Sequence, residues 1–129
     1  MSQADDILNR MIAFAVAIIK ACRLIPRSRT TSHICGQLLR SATAVAPNYA
    51  EARAAESPKD FIHKLGIVLK ELNESLVWLR MLQQMGPAET TTVGALAKEC
   101  DELCRIVYSS IKTASRHSCR KNLSDSSVE

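Results

Sequence analysis

The stretch IHKLGIVLKELNESLVWL, residues 62–79, decides the fold. Its apolar residues recur at alternating intervals of three and four, at Ile62, Leu65, Leu69, Leu72, Leu76 and Leu79. This period of about 3.5 residues is typical of a helix that packs lengthwise against other helices. Phe61, Val68 and Leu82 widen the apolar face on one side. The helix is therefore predicted to contact two neighbours, as the helices of a bundle do.

A second group of apolar residues lies on the other side of the same helix. At about 100° per residue, the side chains that point away from the core face are Ile67, Trp78, Met81 and Met85. Apolar side chains that one bundle leaves outside predict a contact with another copy of the chain. The alternative is that the twist of the bundle, or a C-terminal tail that folds back, covers Trp78.

The composition predicts an all-α protein. The chain has 129 residues, of which 47% are hydrophobic and only 4% aromatic, and four Gly and four Pro interrupt it. These values are typical of a single helical domain. Helices are expected over about 4–22, from the 27–32 connection to about 55, over 58–85, and from Thr90 onward. The first of them carries two adjacent apolar stripes, so it is expected to be central or shared with a neighbour.

The connections between these helices are short, so consecutive helices must run antiparallel. We therefore predict an antiparallel up-down-up-down four-helix bundle over residues 1–117 and a flexible C-terminal tail over 118–129. Ser57 and Pro58 have the residue types of a helix start, and Gly86 those of a helix end. Pro47 lies inside the second helix, where it predicts a bend without a break.

Polar residues interrupt the small-residue face of the second helix around Pro47. They are Arg40, Asn48, Tyr49 and Glu51. A bend exposes backbone carbonyls, so we interpret these side chains as a polar network inside the bundle or at a subunit boundary. The alternative is a ligand site.

Basic residues occur in two clusters, and the formal net charge is +4. One cluster, at the first turn, is Arg23, Arg27 and Arg29; the other, near the C-terminus, is Arg105, Lys112, Arg116, Arg120 and Lys121. Such clusters favour phosphate groups and predict contact with RNA or with a nucleic-acid-bound protein. The alternative is that they only solubilise helix ends, where cations are favoured by the helix dipole.

No pattern of catalytic residues, cofactor-binding residues or metal ligands is found. The three His lie in separate segments, and the five Cys form no Cys-x-x-Cys pair. Cys100 and Cys104 are one turn apart, but without a spaced His pair they are interpreted as buried thiols. The odd Cys count and the acidic start at Asp5 and Asp6 predict reduced thiols in a cytoplasmic protein. The longest apolar run, 11–19, is too short for a membrane span, which needs about 20 residues.

Four motifs together resemble a known family. They are LRSA at 39–42, NYAEA at 48–52, DFIHKL at 60–65 and KELNESL at 70–76. In this order they are similar to the bacterial four-helix bundle family whose members include proteins encoded within intervening sequences of 23S ribosomal RNA genes. Accessory proteins of diversity-generating retroelements are more distant relatives. The similarity extends over about 7–114.

The resemblance implies four-helix protomers that assemble into a closed ring, typically a homopentamer, with no enzymatic activity. For the retroelement relatives it implies a basic scaffold that engages a reverse transcriptase and nucleic acid. Our leading hypothesis is a non-enzymatic, homo-oligomeric scaffold that contacts RNA or a nucleoprotein through its basic clusters. The alternative is a protein-interaction module that binds no nucleic acid.

Overall fold

The computed structural model describes residues 2–86 and 90–126, and the side chains of 2–86 and 91–124. Within these ranges the chain forms four α-helices and no strand. Helix α1 spans Gln3–Leu24, α2 Arg29–Arg53, α3 Pro58–Met85 and α4 Thr90–Ser126. The all-α prediction is therefore confirmed, with helix bounds close to those expected for α1, α2 and α3.

Side-chain caps define where the helices begin. The hydroxyls of Ser2 and Ser28 each accept a hydrogen bond from the backbone N–H three residues later, at 3.1 Å in both cases. Ser57 does the same for the N–H of Asp60 at 3.1 Å, and Pro58 occupies the first helical turn. These bonds satisfy N–H groups that have no partner inside the helix. At the other end of α3, Gly86 has φ of +49°, which is a left-handed value that favours glycine.

Successive contacts run in opposite directions along neighbouring helices, as between α2 and α3, where Ser41 meets Ser75 and Glu51 meets Lys64. An ion pair links Asp5 of α1 to Arg53 of α2 at 2.7 Å. The Cys100 thiol of α4 donates to the carbonyl oxygen of Leu72 in α3 at 3.1 Å. Arg10 of α1 pairs with Glu102 of α4 at 3.3 Å. Consecutive helices are therefore antiparallel, and α4 returns to lie beside α1.

The helices occupy the corners of a square. Helix α2 packs extensively on α3 and α3 on α4, whereas α1 and α4 touch least; within the described residues the backbones of the diagonal pairs α1–α3 and α2–α4 do not approach each other closely. This is the arrangement of an up-down-up-down four-helix bundle.

The core face of α3 is the one that the alternating intervals predict. Leu65, Leu72 and Leu79 are almost completely buried. They meet large side chains of the other helices, which include Met11, Phe14, Ile18, Leu38, Val45, Leu103 and Val107. Full burial of one such side chain contributes roughly 1.5–3 kcal/mol, so this face holds the bundle together.

Helix α2 is continuous through the exposed Pro47, so the proline does not break it, as expected; the bend expected there stays a prediction.

Helix α4 continues to Ser126, so residues 118–126 are helical where the sequence predicted an aperiodic tail. Their flexibility also stays a prediction. The side chains of 119–124 are exposed, which explains the missing apolar period, because a helical segment without a buried face needs none.

Candidate interaction surfaces

The outer surface of α3 carries apolar side chains. Met81 and Met85 are 44% and 45% exposed, and Val77, which the sequence analysis did not select, is 49% exposed. Val77 and Met81 are one turn apart, so they are neighbours on the helix. We call Val77, Met81 and Met85 the α3 outer face.

Trp78 and Ile67 do not belong to this face. Both are half-buried, and Trp78 packs against the core. The ring of His33 in α2 meets the Trp78 ring edge to face, with 6.1 Å between centroids, and the indole N–H of Trp78 donates to Glu74 at 3.4 Å. The prediction that Trp78 points directly away from the bundle is therefore wrong. The angle is correct along α3, but α2 lies close enough on that side to cover much of the ring.

A second exposed apolar surface lies on α1, diagonally across the bundle from α3. Ile12 and Val16 are 46% and 43% exposed and stand one turn apart. They lie beside the core residues Met11 and Phe14, so α1 is apolar on its buried side and beyond it. We call Ile12 and Val16 the α1 outer face. Ile12 belongs to one of the two apolar stripes that the sequence shows on α1, whereas Val16 lies outside both.

The two basic clusters lie at opposite ends of the bundle. All eight predicted side chains are exposed. Arg23, Arg27 and Arg29 occupy the turn between α1 and α2. Lys121 and His117 lie at the other end, where they line a cleft of about 420 Å³ together with residues of the α2–α3 turn.

Most of the second cluster follows one side of α4. Lys98, Arg105, Lys112, Arg116 and Arg120 succeed each other at intervals of seven, seven, four and four residues and are all exposed. These intervals keep the five cations on the same side of a helix with about 3.6 residues per turn. We call these five residues the basic face. Lys98 was not selected from the sequence, because acidic residues separate it from the cluster along the chain, although not on the helix surface.

The acidic residues near the basic face already have partners. Asp101 pairs with Arg105 at 3.0 Å. Glu102 pairs with Arg10 of α1 at 3.3 Å, and Glu99 accepts from the Nε of Arg10 at 3.3 Å. The hydrogen bond to Glu99 raises the pKa of Arg10. These carboxylates therefore hold α1 against α4 or one arginine in place, and none of the three pairs with Lys112, Arg116 or Arg120.

The polar residues around Pro47 do not form one network. Asn48 donates to the carbonyl oxygen of Ala44 at 2.7 Å, and Glu51 accepts from Lys64 of α3 at 3.2 Å. Tyr49 is buried in the core, where burial raises the pKa of its hydroxyl, and Arg40 is exposed. A second polar pair that connects α2 with α3 is Ser41 with Ser75, buried hydroxyls 2.7 Å apart.

The five cysteines are free thiols. Burial raises the pKa of Cys22 to about 12, with a further contribution from its hydrogen bond with Cys35. The pKa of Cys100 is also raised, by its hydrogen bond with Cys104 and by burial. A thiol whose pKa is raised in this way, as at Cys22 and Cys100, is a poor nucleophile at neutral pH. The hydrogen bond with Cys100 lowers the pKa of Cys104.

Neither a metal site nor a membrane span is found among the described residues. No group of three or more His, Cys, Asp or Glu side chains there is placed to hold a metal ion. None of the helices in these ranges combines the length and apolar character that crossing a bilayer would require.

Comparisons with known proteins place the chain in a family. A crystal structure of a protein of unknown function from the S23 ribosomal protein family, from Bacteroides thetaiotaomicron VPI-5482, is similar at 30% sequence identity and a TM-score of 0.75. The match covers 82% of this chain and 98% of that one. A search of curated proteins finds no match. The model of the family described as 23S rRNA-intervening sequence protein matches residues 3–109, and this chain is therefore a member of that family.

Proposed function

We propose that this chain is a non-enzymatic scaffold that assembles with copies of itself and binds RNA, or a protein bound to RNA. The observation that carries the proposal is the division of its surface. The α1 and α3 outer faces are apolar, whereas the outer side of α4 is basic, and all three surround a core that one chain completes alone.

The complete core of the protomer supports assembly through the outer faces. Among the described residues, every buried side-chain N or O atom has a hydrogen-bond partner, and the central leucines of α3 are already enclosed. The exposed apolar residues are therefore not needed to finish the protomer, and burying them against another copy is favourable.

The positions of the two apolar faces favour a ring. They lie on diagonal helices, so one copy can offer its α3 outer face to a neighbour while its own α1 outer face meets another. Contact through two different faces is head-to-tail, and it closes into a ring when the rotation between copies allows. A closed homopentamer, the assembly that the family resemblance implies, fits this pattern.

The positive charge of the basic face on α4 supports RNA binding. Lysine and arginine side chains on one side of a helix attract phosphates, and RNA is recognised in large part through its backbone. The alternative function is a protein-interaction module whose basic residues only keep it soluble.

A pair of matched charge reversals tests the proposal. Lys112→Glu with Arg116→Glu alters the basic face, and Arg27→Glu with Arg29→Glu alters the turn cluster by the same charge. Binding of a fluorescent structured RNA is measured by anisotropy at several salt concentrations. We expect the first variant to lose most of the affinity and the second to lose less.

The salt dependence gives a second measure. Each lost phosphate contact should reduce the slope of log K against log salt by about 0.7–0.9, and the reduction should be larger in the α4 variant. If the unaltered protein binds no RNA at low salt, the interaction-module alternative replaces the RNA-binding scaffold.

A further inference from the structure

Tyr108 is the one exposed aromatic side chain of this protein. The chain has two Phe, two Tyr and one Trp, and all five lie in the described ranges. Phe14 and Tyr49 are buried, and Phe61 and Trp78 are half-buried. Tyr108, in contrast, is 54% exposed, so its ring is available to a partner.

The surroundings of Tyr108 are basic. Arg105 precedes it by three residues and Lys112 follows it by four, so both adjoin it on the helix surface. Arg105 also pairs with Asp101 at 3.0 Å, but this ion pair is exposed and therefore weak, so a phosphate can compete for the guanidinium. The ammonium of Lys112 lies 5.5 Å from the centroid of the ring, within the range of a cation–π contact. The adjacent Ser109 is exposed and polar. Tyr108 therefore differs from the apolar residues of α1 and α3, which have exposed apolar neighbours.

An exposed ring among cations matches the chemistry of an unpaired nucleotide. A base can stack on an aromatic ring whatever its sequence, while the phosphates on either side of it pair with lysine and arginine. In a duplex the bases are already stacked on each other, and the ring would find no free base face. Arg105 and Lys112 are about 10 Å apart along the helix axis at 1.5 Å per residue, and this distance accommodates a short run of nucleotides around the ring.

We propose that Tyr108 is a stacking platform for an unpaired base of single-stranded RNA, with the neighbouring phosphates on Arg105 and Lys112. This inference rests on the proposed function, because it specifies which form of RNA the basic face prefers. Base stacking on Tyr108 would distinguish α4 from a surface that only attracts negative charge.

The test compares one RNA strand in two states. A fluorescent mixed-sequence strand without self-complementarity is titrated alone and after annealing to its complement, with the full-length protein and its variants. Tyr108→Ala removes the ring, Tyr108→Phe keeps it, and Ser109→Ala changes the adjacent exposed position as a control. Thermal unfolding followed by circular dichroism verifies that the variants are folded.

We expect Tyr108→Ala to weaken binding of the single strand about tenfold and to leave binding of the duplex unchanged. Tyr108→Phe and Ser109→Ala should bind the single strand as the unaltered protein does. The inference is overturned if Tyr108→Ala retains full affinity for the strand, or if it alters the molar mass of the particle. In either case the proposed function stands as long as RNA is still bound. If the unaltered protein binds neither strand nor duplex, the proposed function fails and the inference with it.

Discussion

Helices α3 and α4 lie side by side, and each turns a row of buried Leu and Val residues towards the core. Leu72 of α3 and Leu103 of α4 are both completely buried. On the outside the two helices differ, since α3 exposes Met81 where α4 exposes Lys112. The same inner pattern therefore supports two different surfaces.

This difference separates the residues that make the bundle from those that give it partners. The inner residues recur every three or four positions because each must reach the core. The outer residues are under no such constraint, so their chemistry is free to serve binding. Substitutions should therefore divide into those that unfold the protomer and those that change only what it contacts.

The largest effect on stability is expected at the inner face of α3. Leu72→Ala should lower the free energy of unfolding by about 2–5 kcal/mol, because it removes a fully buried side chain and leaves a cavity. Val77→Ala, on the outer face of the same helix, should cost under about 0.5 kcal/mol. Urea denaturation at a fixed, low protein concentration measures both values. Equal losses in the two variants would contradict the division between inner and outer faces.

A smaller effect is expected where the inner face is polar. Ser41 and Ser75 are fully buried, and their hydroxyl oxygens are 2.7 Å apart, so they join α2 to α3. Ser41→Ala should cost about 1 kcal/mol, because Ser75 keeps its bond to the carbonyl oxygen of Glu71 and loses only one partner. Urea denaturation of the two single variants and the double variant measures the coupling. Strictly additive losses would mean that the two hydroxyls do not interact.

The smallest effect is expected at an exposed ion pair, and it depends on pH. The hydrogen bond with Arg53 lowers the pKa of Asp5, with further contributions from Ser2. A carboxyl whose pKa is lowered by folding stabilises the protein above its unfolded pKa of about 3.9, and this contribution is lost as the pH falls through the lower folded value. Asp5→Asn should therefore be slightly less stable than the unaltered protein at neutral pH.

The difference in stability between Asp5→Asn and the unaltered protein should disappear in strong acid. The thermal midpoints of the two proteins at neutral pH and below about pH 3 measure it. Asp6→Asn is the matched control, because Asp6 also lies in the first turn of α1, whereas Arg53 pairs with Asp5. A difference between Asp5→Asn and the unaltered protein that persists unchanged in acid would exclude the ion pair as its cause.

The inner faces could be read from the sequence, and the outer faces only in part. The intervals from Ile62 to Leu79 define one side of α3 without reference to any other helix. Ser57 and Gly86 mark the ends of α3 through local chemistry that the sequence also contains. Trp78 was misplaced, because its burial depends on His33 of a neighbouring helix, and no pattern within α3 reports where α2 lies.

Three features of α4 were also missed in the sequence analysis. Tyr108 is one residue in a helix with few aromatics, and only its exposure and its contact with Lys112 distinguish it from a core tyrosine such as Tyr49. The continuation of α4 to Ser126 has no apolar period, so periodicity could not reveal it. Lys98 could have been found by plotting charge around the helix instead of along the chain.

The central claim is that the apolar outer faces join copies of this chain, and its most direct test is the molar mass in solution. Light scattering coupled to size exclusion should give a multiple of the 14.2 kDa protomer, and about 71 kDa for a ring of five. Val77→Gln with Met81→Gln should shift this mass towards the protomer while leaving the helical content unchanged. A particle of 14.2 kDa at every protein concentration would contradict the account.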